Sequence, residues 1–346
     1  LAMTSDRASE LVGAVSVLGY LKNPRASAAP EADRLTQKAK GLIAGLLSLQ
    51  NEDGGWPWTA PGILPNQDQS RRAGHHSHRA GSAAVVWALA ASQPMGLVPD
   101  QRALDRGIAW LAQELPKLNA TDHETRASML HALSTARRAT FEQANSLNRA
   151  RQGLSHLALG YLALTFANLD RPEIANELLG ILLAKASRQS AGPGKRDRIY
   201  WTGNTKAPTS QGSTETTATI ALAMARVRPR STELEQTIDW LLEHRELRGW
   251  RPGSAQGAAL AALAAYHERA EGANDRYKLV ATVNDTQVAV LDVDGSTPGQ
   301  TIAVPNKAVQ VGQRNRVRFD FEGRGTFGYA VTLEGFLGQS NATAVR

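Results

Sequence analysis

The sequence twice places a Gly-Trp pair between a long apolar stretch and an alanine-rich stretch, and this repeat restricts the fold more than any other feature. The first copy, GLIAGLLSLQNEDGGW, ends at Trp56. The second, QTIDWLLEHRELRGW, ends at Trp250 and leads into AQGAALAALAAY. When the two pairs are aligned, Leu46 falls on Trp240. The repeat therefore predicts a unit of one amphipathic helix, a turn at a tryptophan, and one helix of small residues.

Helical periodicity continues through most of the chain, and the helices alternate between two kinds. SAAVVWALAA and TTATIALAMA are rich in small residues, whereas RGIAWLAQEL and QTIDWLLEHREL are amphipathic. Small side chains let helices crowd around a shared axis, and amphipathic helices can shield them from water. The alternation predicts a mainly α fold, an α/α toroid of inner and outer helices over residues 1–272. The predicted helices cover residues 8–21, 32–49, 80–92, 100–115, 121–137, 154–168, 171–186, 214–227, 231–244 and 254–268.

The pattern changes to an apolar-polar alternation from residue 276 onward, which is typical of strands. Asn-Asp, Asp-Gly, Pro-Asn and Glu-Gly turns separate the alternating runs. The pattern predicts a small antiparallel β-rich segment over residues 276–338, followed by a tail at 339–346 that carries no element. The predicted strands cover residues 277–285, 287–295, 301–306, 315–323 and 326–337.

Composition excludes several classes of function. The chain has no cysteine, so it has no disulfides, thiolate metal sites or cysteine nucleophiles. Its net charge of +7 is scattered and does not alternate with aromatic residues, so we expect no nucleic-acid partner. No apolar run reaches the roughly 18 residues that a membrane span needs, so we expect no membrane insertion. The opening LAMTSDRASE resembles neither a signal peptide nor a usual start, and we expect the chain to be part of a longer protein.

Two loops attract attention. His75, His76 and His78 place three imidazoles within four residues, but spacing provides no carboxylate to complete a metal site. We expect an exposed loop with no bound metal there. The stretch from Ser190 to Ser213 is long for a compact domain, and loops of this length tend to be functional or mobile. We expect Trp201 to hold its middle against the body of the protein.

Several segments, taken in order, resemble the thioester domain of alpha-2-macroglobulins and complement proteins, especially the bacterial branch. SELVGAVSVLGYL is similar to the family's first helix, and STETTATIALAMA and RGWRPGSAQGAALAALAAY are similar to two later inner helices. The strands from Lys278 to Leu337 resemble the return half of the CUB-like domain that brackets the toroid. The resemblance implies a non-enzymatic part of a larger periplasmic, secreted or cell-surface protein without cofactors. Its partners would be the other domains of the same chain and a target protease.

The resemblance also indicates what is missing. The family's reactive thioester joins the cysteine and glutamine of a Cys-x-Glu-Gln motif at the start of the first toroid helix. Aligned on SELVGAVSVLGYL, the cysteine, glutamate and glutamine positions fall on Met3, Ser5 and Asp6. A methionine sulfur is already alkylated and an aspartate has no amide, so these residues cannot form a thioester. The alternative alignment places the motif before Leu1. The resemblance then implies protease trapping or host defence by non-covalent enclosure, with no catalytic residues.

Two other readings remain. Terpene cyclases and prenyltransferase β-subunits are also α/α toroids, and QNEDGGW resembles the Gln-Trp repeats of squalene-type cyclases. Against an enzyme of this type, the chain has no Asp-x-Asp-Asp acid and no zinc thiolate, and its inner helices carry alanine where a carbocation pocket needs aromatic residues. The third reading is a purely structural scaffold domain inside a larger protein.

Overall fold

The computed structural model describes residues 3–22, 29–59, 76–98, 100–190, 192, 196–203, 212–246, 249–269, 275–294, 297, 300–325, 327, 329 and 331. The chain divides into two compact units, Leu1–Ala270 and Glu271–Arg346. The first is helical and the second contains a small antiparallel sheet, which confirms the predicted fold class. Among the described helices, none combines the length and hydrophobicity needed to cross a lipid bilayer.

The helical unit consists, in its described part, of eleven α-helices and one short hairpin. The helices are α1 (Thr4–Leu21), α2 (Ala29–Leu47), α3 (Arg79–Ser92), α4 (Gln101–Glu114), α5 (His123–Thr135), α6 (Phe141–Asn148), α7 (His156–Asn168), α8 (Pro172–Ala184), α9 (Gly212–Val227), α10 (Thr232–Glu243) and α11 (Ala255–Arg269). Strands β1 (Ser187–Gln189) and β2 (Arg198–Tyr200) form the antiparallel hairpin between α8 and α9.

Every second helix belongs to a closed inner ring. Going round it, α1 packs against α3, α3 against α5, α5 against α7, α7 against α9, α9 against α11, and α11 again against α1. Helices α2, α4, α6, α8 and α10 lie outside, and each packs against the inner helix that precedes it. The helical unit is therefore the alternating α/α toroid that the two helix types predict.

Small residues bring the ring together where α1 meets α11. A Cβ added to Gly257 would lie 2.5 Å from the Ser9 backbone oxygen, and one added to Gly13 would lie 2.6 Å from Leu260. The Ser9 hydroxyl donates to the Ser254 carbonyl at 2.8 Å and accepts from the Gly257 N–H at 2.7 Å. We call this α1–α11 contact the ring seam. A larger residue than glycine at either position would push the two helices apart.

Three buried tryptophans make the same pair of hydrogen bonds, and we call this arrangement the tryptophan clamp. Each indole N–H donates at 2.7 Å to a carbonyl near the end of an outer helix. Each backbone N–H donates to a side-chain oxygen of the next inner helix, at 2.8 to 3.0 Å. The clamp therefore ties each outer helix to the inner helix that follows. The three sets are Trp56 with Leu46 and Ser82, Trp201 with Leu182 and Thr217, and Trp250 with Leu241 and Gln256.

The clamp explains the Gly-Trp repeat and extends it. Gly249 has φ +116° and lies against the Gln256 side-chain amide, so only glycine fits the turn before Trp250. The predicted anchoring of Trp56 and Trp201 is confirmed, because both are fully buried. The third copy of the unit escaped the sequence analysis because Tyr200 replaces glycine before Trp201.

Helix α6 and the β1–β2 hairpin were not predicted from the sequence. Helix α6 has only eight residues, too few for a periodic pattern, although Thr140 and Gln143 form a reciprocal capping box at its start. The region from residue 190 to 213 was predicted as one loop, but β2 lies inside it. Arg198 joins this strand to α10 through Asp239 at 3.1 Å and Glu243 at 2.7 Å. Parts of that predicted loop lie outside the described residues.

The second unit contains β3 (Arg276–Val283), β4 (Thr286–Asp294) and β5 (Val317–Arg324), in the antiparallel order β4-β3-β5. Asn284 and Asp285 both have positive φ, 45° and 68°, as a two-residue hairpin turn requires. Three of the predicted strands are thus confirmed.

The strand predicted at 301–306 is wrong. Residues 301–305 have no regular structure, and a short 3-10 helix follows at Asn306–Ala308. The run is short, and Pro305 has no N–H to donate to a neighbouring strand. Most of the strand predicted at 326–337, and the tail at 339–346, lie outside the described residues.

Candidate functional site

A cavity of about 80 Å³ lies where the N-terminal ends of the inner helices meet. Residues from the first two or three turns of α1, α3, α5, α7 and α9 line it, together with Trp58, which follows α2, and Ser254 just before α11. The inner helices therefore all begin at the same end of the ring. We call this space the axial cavity. Its polar and aromatic lining consists of Ser5, Ser9, Trp58, Trp87, Glu124, Thr125, Ser128, His131, Tyr161, Glu215 and Ser254.

Helix α5 contributes much of the polar lining. Glu124, Ser128 and His131 are spaced four and three residues apart, which places them on one face of the helix. Glu124 lies in the first turn, where the helix dipole favours a negative charge. Both of its carboxylate oxygens are shielded from solvent, and within the described residues neither has a hydrogen-bond partner. Buried carboxylates are normally paired, so this one requires a partner.

His131 forms part of an aromatic wall. Its side chain is buried, and its ring lies 5.0 Å from the Trp87 ring and 5.6 Å from the Tyr161 ring, stacked on the latter. Neither ring nitrogen has a hydrogen-bond partner among the described residues. Burial, with a smaller contribution from Arg226, lowers the pKa of His131 to about 3. The imidazole is therefore neutral at physiological pH.

The Tyr161 hydroxyl lies near both acidic residues of the cavity. Burial raises the pKa of this phenol well above its usual range, and the charges of Glu215 and Glu124 raise it further. Glu215 is itself buried, in the first turn of α9. Among the residues that the structure describes, the cavity lining includes these two acidic residues and no lysine or arginine. The described part of the lining is therefore acidic in a chain whose net charge is +7.

The arrangement suits binding better than acid–base chemistry. A histidine with a pKa near 3 is a poor proton acceptor at neutral pH, where a general base works best with a pKa close to 7. In the part of the chain that the structure describes, no three His, Cys, Asp or Glu residues are grouped to hold a metal ion. What the cavity offers is negative charge, hydrogen-bond acceptors and aromatic faces.

The structure places the three aligned thioester positions at the start of α1, beside this cavity. Met3 is the N-cap residue, and its backbone pairs with Thr59. Ser5 lines the cavity. Asp6 instead faces the turn before α11, because a Cβ added to Gly253 would lie 2.8 Å from the Asp6 carboxyl carbon. Burial raises the pKa of Asp6.

The histidine cluster is only partly described. His75 lies outside the described residues, and His76 is exposed. His78 caps α3, where its Nδ1 accepts a hydrogen bond from the Gly81 N–H at 3.1 Å. Its ring also meets the Trp58 ring edge-on at 4.4 Å. The described part of this cluster therefore supports the fold by capping a helix.

The axial cavity was not predicted from the sequence. The inner helices were expected to carry alanine where a carbocation pocket needs aromatic residues, and this expectation was wrong because Trp87 and Tyr161 line the cavity. The sequence of α5 did contain a usable signal. Glu124, Ser128 and His131 are spaced so that these polar residues share one face of the helix. Spacing cannot show that five other helices bring their first turns to the same place.

Comparison with known proteins supports the fold and leaves the sequence unmatched. No family model matches the chain, and no curated protein sequence matches it. Among solved structures it is similar to native alpha-2-macroglobulin from Escherichia coli, spanning domain MG7 to the C-terminus, with a TM-score of 0.57 and 13% identity. That match covers 85% of this chain and 43% of the other.

Two further structures give the same result. Trypsin-activated alpha-2-macroglobulin from Escherichia coli matches with a TM-score of 0.53 and 12% identity, over 93% of this chain and 19% of that one. Salmonella alpha-2-macroglobulin reacted with methylamine matches with a TM-score of 0.54 and 14% identity, over 85% and 19%. The chain spans less than half the length of these solved chains. At such identities the likeness shows the fold alone.

Proposed function

We propose that this chain is the toroid and adjoining β-segment of a larger alpha-2-macroglobulin-like protein that has no thioester and restrains proteases without a covalent bond. One observation carries the proposal: a chain with the fold of the C-terminal region of bacterial alpha-2-macroglobulin contains no cysteine. A thioester needs a cysteine sulfur as its leaving group, because a thiolate with a pKa near 8.5 departs readily. Residues 1–270 correspond to the thioester domain in this proposal, and the sheet corresponds to part of the CUB-like domain.

The solved neighbours indicate which responses to compare. Their structures include one protein activated by trypsin, one activated by porcine elastase and one reacted with methylamine. We expect the protein that carries this chain to respond to proteases and not to methylamine. Met3 and Asp6 stand in the aligned positions, and neither side chain can supply the thiol or the amide that the bond requires.

The methylamine test uses this chain directly. After incubation with methylamine at neutral pH, intact-mass spectrometry is expected to show no added methylamine. A covalent adduct at one defined residue would refute the proposed absence of a reactive acyl group. Alpha-2-macroglobulin from Escherichia coli or Salmonella serves as the comparison.

Enclosure is tested on the full-length protein that carries this chain. After treatment with trypsin, a small chromogenic substrate should still be cleaved, while a protein-sized inhibitor should no longer reach the enzyme. A physical cage predicts this difference because it excludes by size. If the inhibitor blocks the enzyme as fast as it blocks free trypsin, the protein does not enclose its target and a scaffold role replaces the trap.

An isoprenoid-type enzyme is the weaker reading. The axial cavity has aromatic walls, which a carbocation would favour, but its volume is only about 80 Å³. At 10 to 15 Å³ for each water, this corresponds to roughly five to eight waters. A polyprenyl chain needs much more room than that, and no Asp-x-Asp-Asp acid is present in the sequence.

A further inference from the structure

Glu124 brings to the axial cavity a carboxylate that its described walls do not pair. Both Glu124 and Glu215 belong to the lining, and among the described residues of that lining there is no lysine or arginine. Both oxygens of the Glu124 carboxylate are shielded and lack hydrogen-bond donors within the described residues. A buried carboxylate in this condition is strongly disfavoured unless a cation or a set of donors meets it.

The remaining unpartnered atoms lie in the same place. His131 is almost completely buried, lines the cavity, and neither of its nitrogens has a partner in the described chain. The hydroxyls of Ser5 and Ser254, also in the lining, are buried without partners among the described residues. Native proteins leave few such groups, so a cluster of them around one cavity indicates a ligand-binding site. Carboxylate oxygens accept hydrogen bonds only, so the ligand must bring donors to Glu124.

The walls select an organic cation over a metal ion. Trp87 and Tyr161 present aromatic rings on either side of His131, and such rings attract cations over their faces. His131 is neutral at physiological pH, so it adds no positive charge that would repel a cation. A metal ion would need several ligands at short distances, and the described residues contain no such group of three.

The volume limits the size of the cation. Room for roughly five to eight waters accommodates an ammonium group and a short alkyl chain. An ammonium carries three donors on one centre, which matches the acceptors of the Glu124 carboxylate and of the Ser5 and Ser254 hydroxyls.

We infer that the axial cavity binds a primary alkylammonium group, with Glu124 as its counter-charge and Trp87 and Tyr161 as its walls. The group belongs to a free alkylamine or to a lysine side chain, which share this chemistry. The inference does not rest on the proposed function, because a cysteine-free chain would have this cavity whether or not its parent protein encloses proteases.

Calorimetric titration of the whole chain with n-butylammonium chloride tests the inference, with n-butanol as the neutral ligand of similar shape. We expect the ammonium to bind at least about tenfold more tightly than the alcohol, since hydrogen bonds to charged groups are the stronger ones. Nα-acetyl-lysine amide, titrated in parallel, distinguishes the two sources. Binding tighter than that of n-butylammonium identifies a lysine side chain, and weaker binding identifies a free amine.

Matched variants locate the site. Glu124→Gln is expected to weaken n-butylammonium binding about tenfold or more. The control is Glu173→Gln. Glu173 is the second residue of α8, as Glu124 is the second residue of α5, but Glu173 is exposed, so this variant removes the same charge from a helix start that lies outside the cavity. Equal binding of butanol and butylammonium to the wild-type chain would overturn the inference, whatever the variants do. So would an equal loss of affinity in both variants.

Discussion

Replacing Trp250 with phenylalanine is expected to destabilise the helical unit more than the same change at Trp201. Both indoles are buried and both donate a 2.7 Å hydrogen bond to a carbonyl near the end of an outer helix. The two carbonyls differ in whether a second hydrogen bond remains after the indole is removed. Leu182 O also accepts from the Lys185 N–H at 3.0 Å, whereas in the described chain Leu241 O has no second donor from the turn that follows α10.

The magnitudes follow from these contacts. Each change removes about three buried ring atoms, worth about 2 kcal/mol at roughly 0.8 kcal/mol per methylene-sized group. Losing the hydrogen bond at Trp201 adds about 1 kcal/mol, because the acceptor remains paired. Losing it at Trp250 adds about 2 kcal/mol, because no other described residue donates a hydrogen bond to the Leu241 carbonyl. We therefore expect losses of about 3 and about 4 kcal/mol, a large share of a domain's typical 5–15 kcal/mol.

Urea unfolding followed by far-UV circular dichroism measures the difference, since the helical unit dominates that signal. Trp56→Phe is the internal control, because Leu46 O keeps a bond from the Leu49 N–H at 3.1 Å. It should match Trp201→Phe. If Trp250→Phe costs no more than the other two, the energy of the clamp comes from ring burial alone and the hydrogen-bond argument is refuted.

Two further predictions concern pH. Burial raises the pKa of Asp6 above its ordinary 3.8, so the folded state disfavours the charged carboxylate. Asp6→Asn should therefore raise the melting temperature at pH 7. This gain should shrink as the pH falls through the raised pKa, because the wild-type carboxyl then becomes neutral. A uniform gain at every pH would contradict this. Burial lowers the pKa of His78, so the folded state favours the neutral imidazole. The stability that this side chain contributes is therefore present above pH 6.5 and is lost as the pH falls below that value. His78→Asn keeps a good N-cap that does not titrate, and its melting temperature should fall less than that of the wild type between pH 7 and pH 5; parallel curves would contradict it.

The fold could be predicted to a large extent because its determinants are local. Small residues on one helix type and larger ones on the other distinguish the inner from the outer helices, and the Gly-Trp pairs indicate where one becomes the other. The failures also have local causes. Helix α6 is too short for periodicity, and the third clamp has Tyr200 where the pattern has glycine.

The axial cavity is a different matter, because it exists only once the ring is closed. Glu124 and Glu215 are 91 residues apart, and each looks like an ordinary acidic residue in the first turn of a helix. Their common surroundings depend on the parallel direction of the inner helices and on ring size. Neither quantity is contained in a stretch of neighbouring residues, so sequence reasoning could identify the helices and miss what they enclose.

The ring seam has a consequence for the order of folding. Ser9 and Ser254 are bonded across 245 residues, whereas α9 and α11 begin about 40 residues apart. Loop-closure entropy grows as (3/2)RT ln n, so joining the seam costs only about 1.6 kcal/mol more than joining those neighbours. Adjacent hairpins should therefore assemble first and the seam last. An open stack of the same helices would leave two end faces in water, each needing a protective cap. Closure removes both ends at once. The final contact adds a sixth interface between inner helices to the five already formed, so the helical unit becomes one cooperative folding unit.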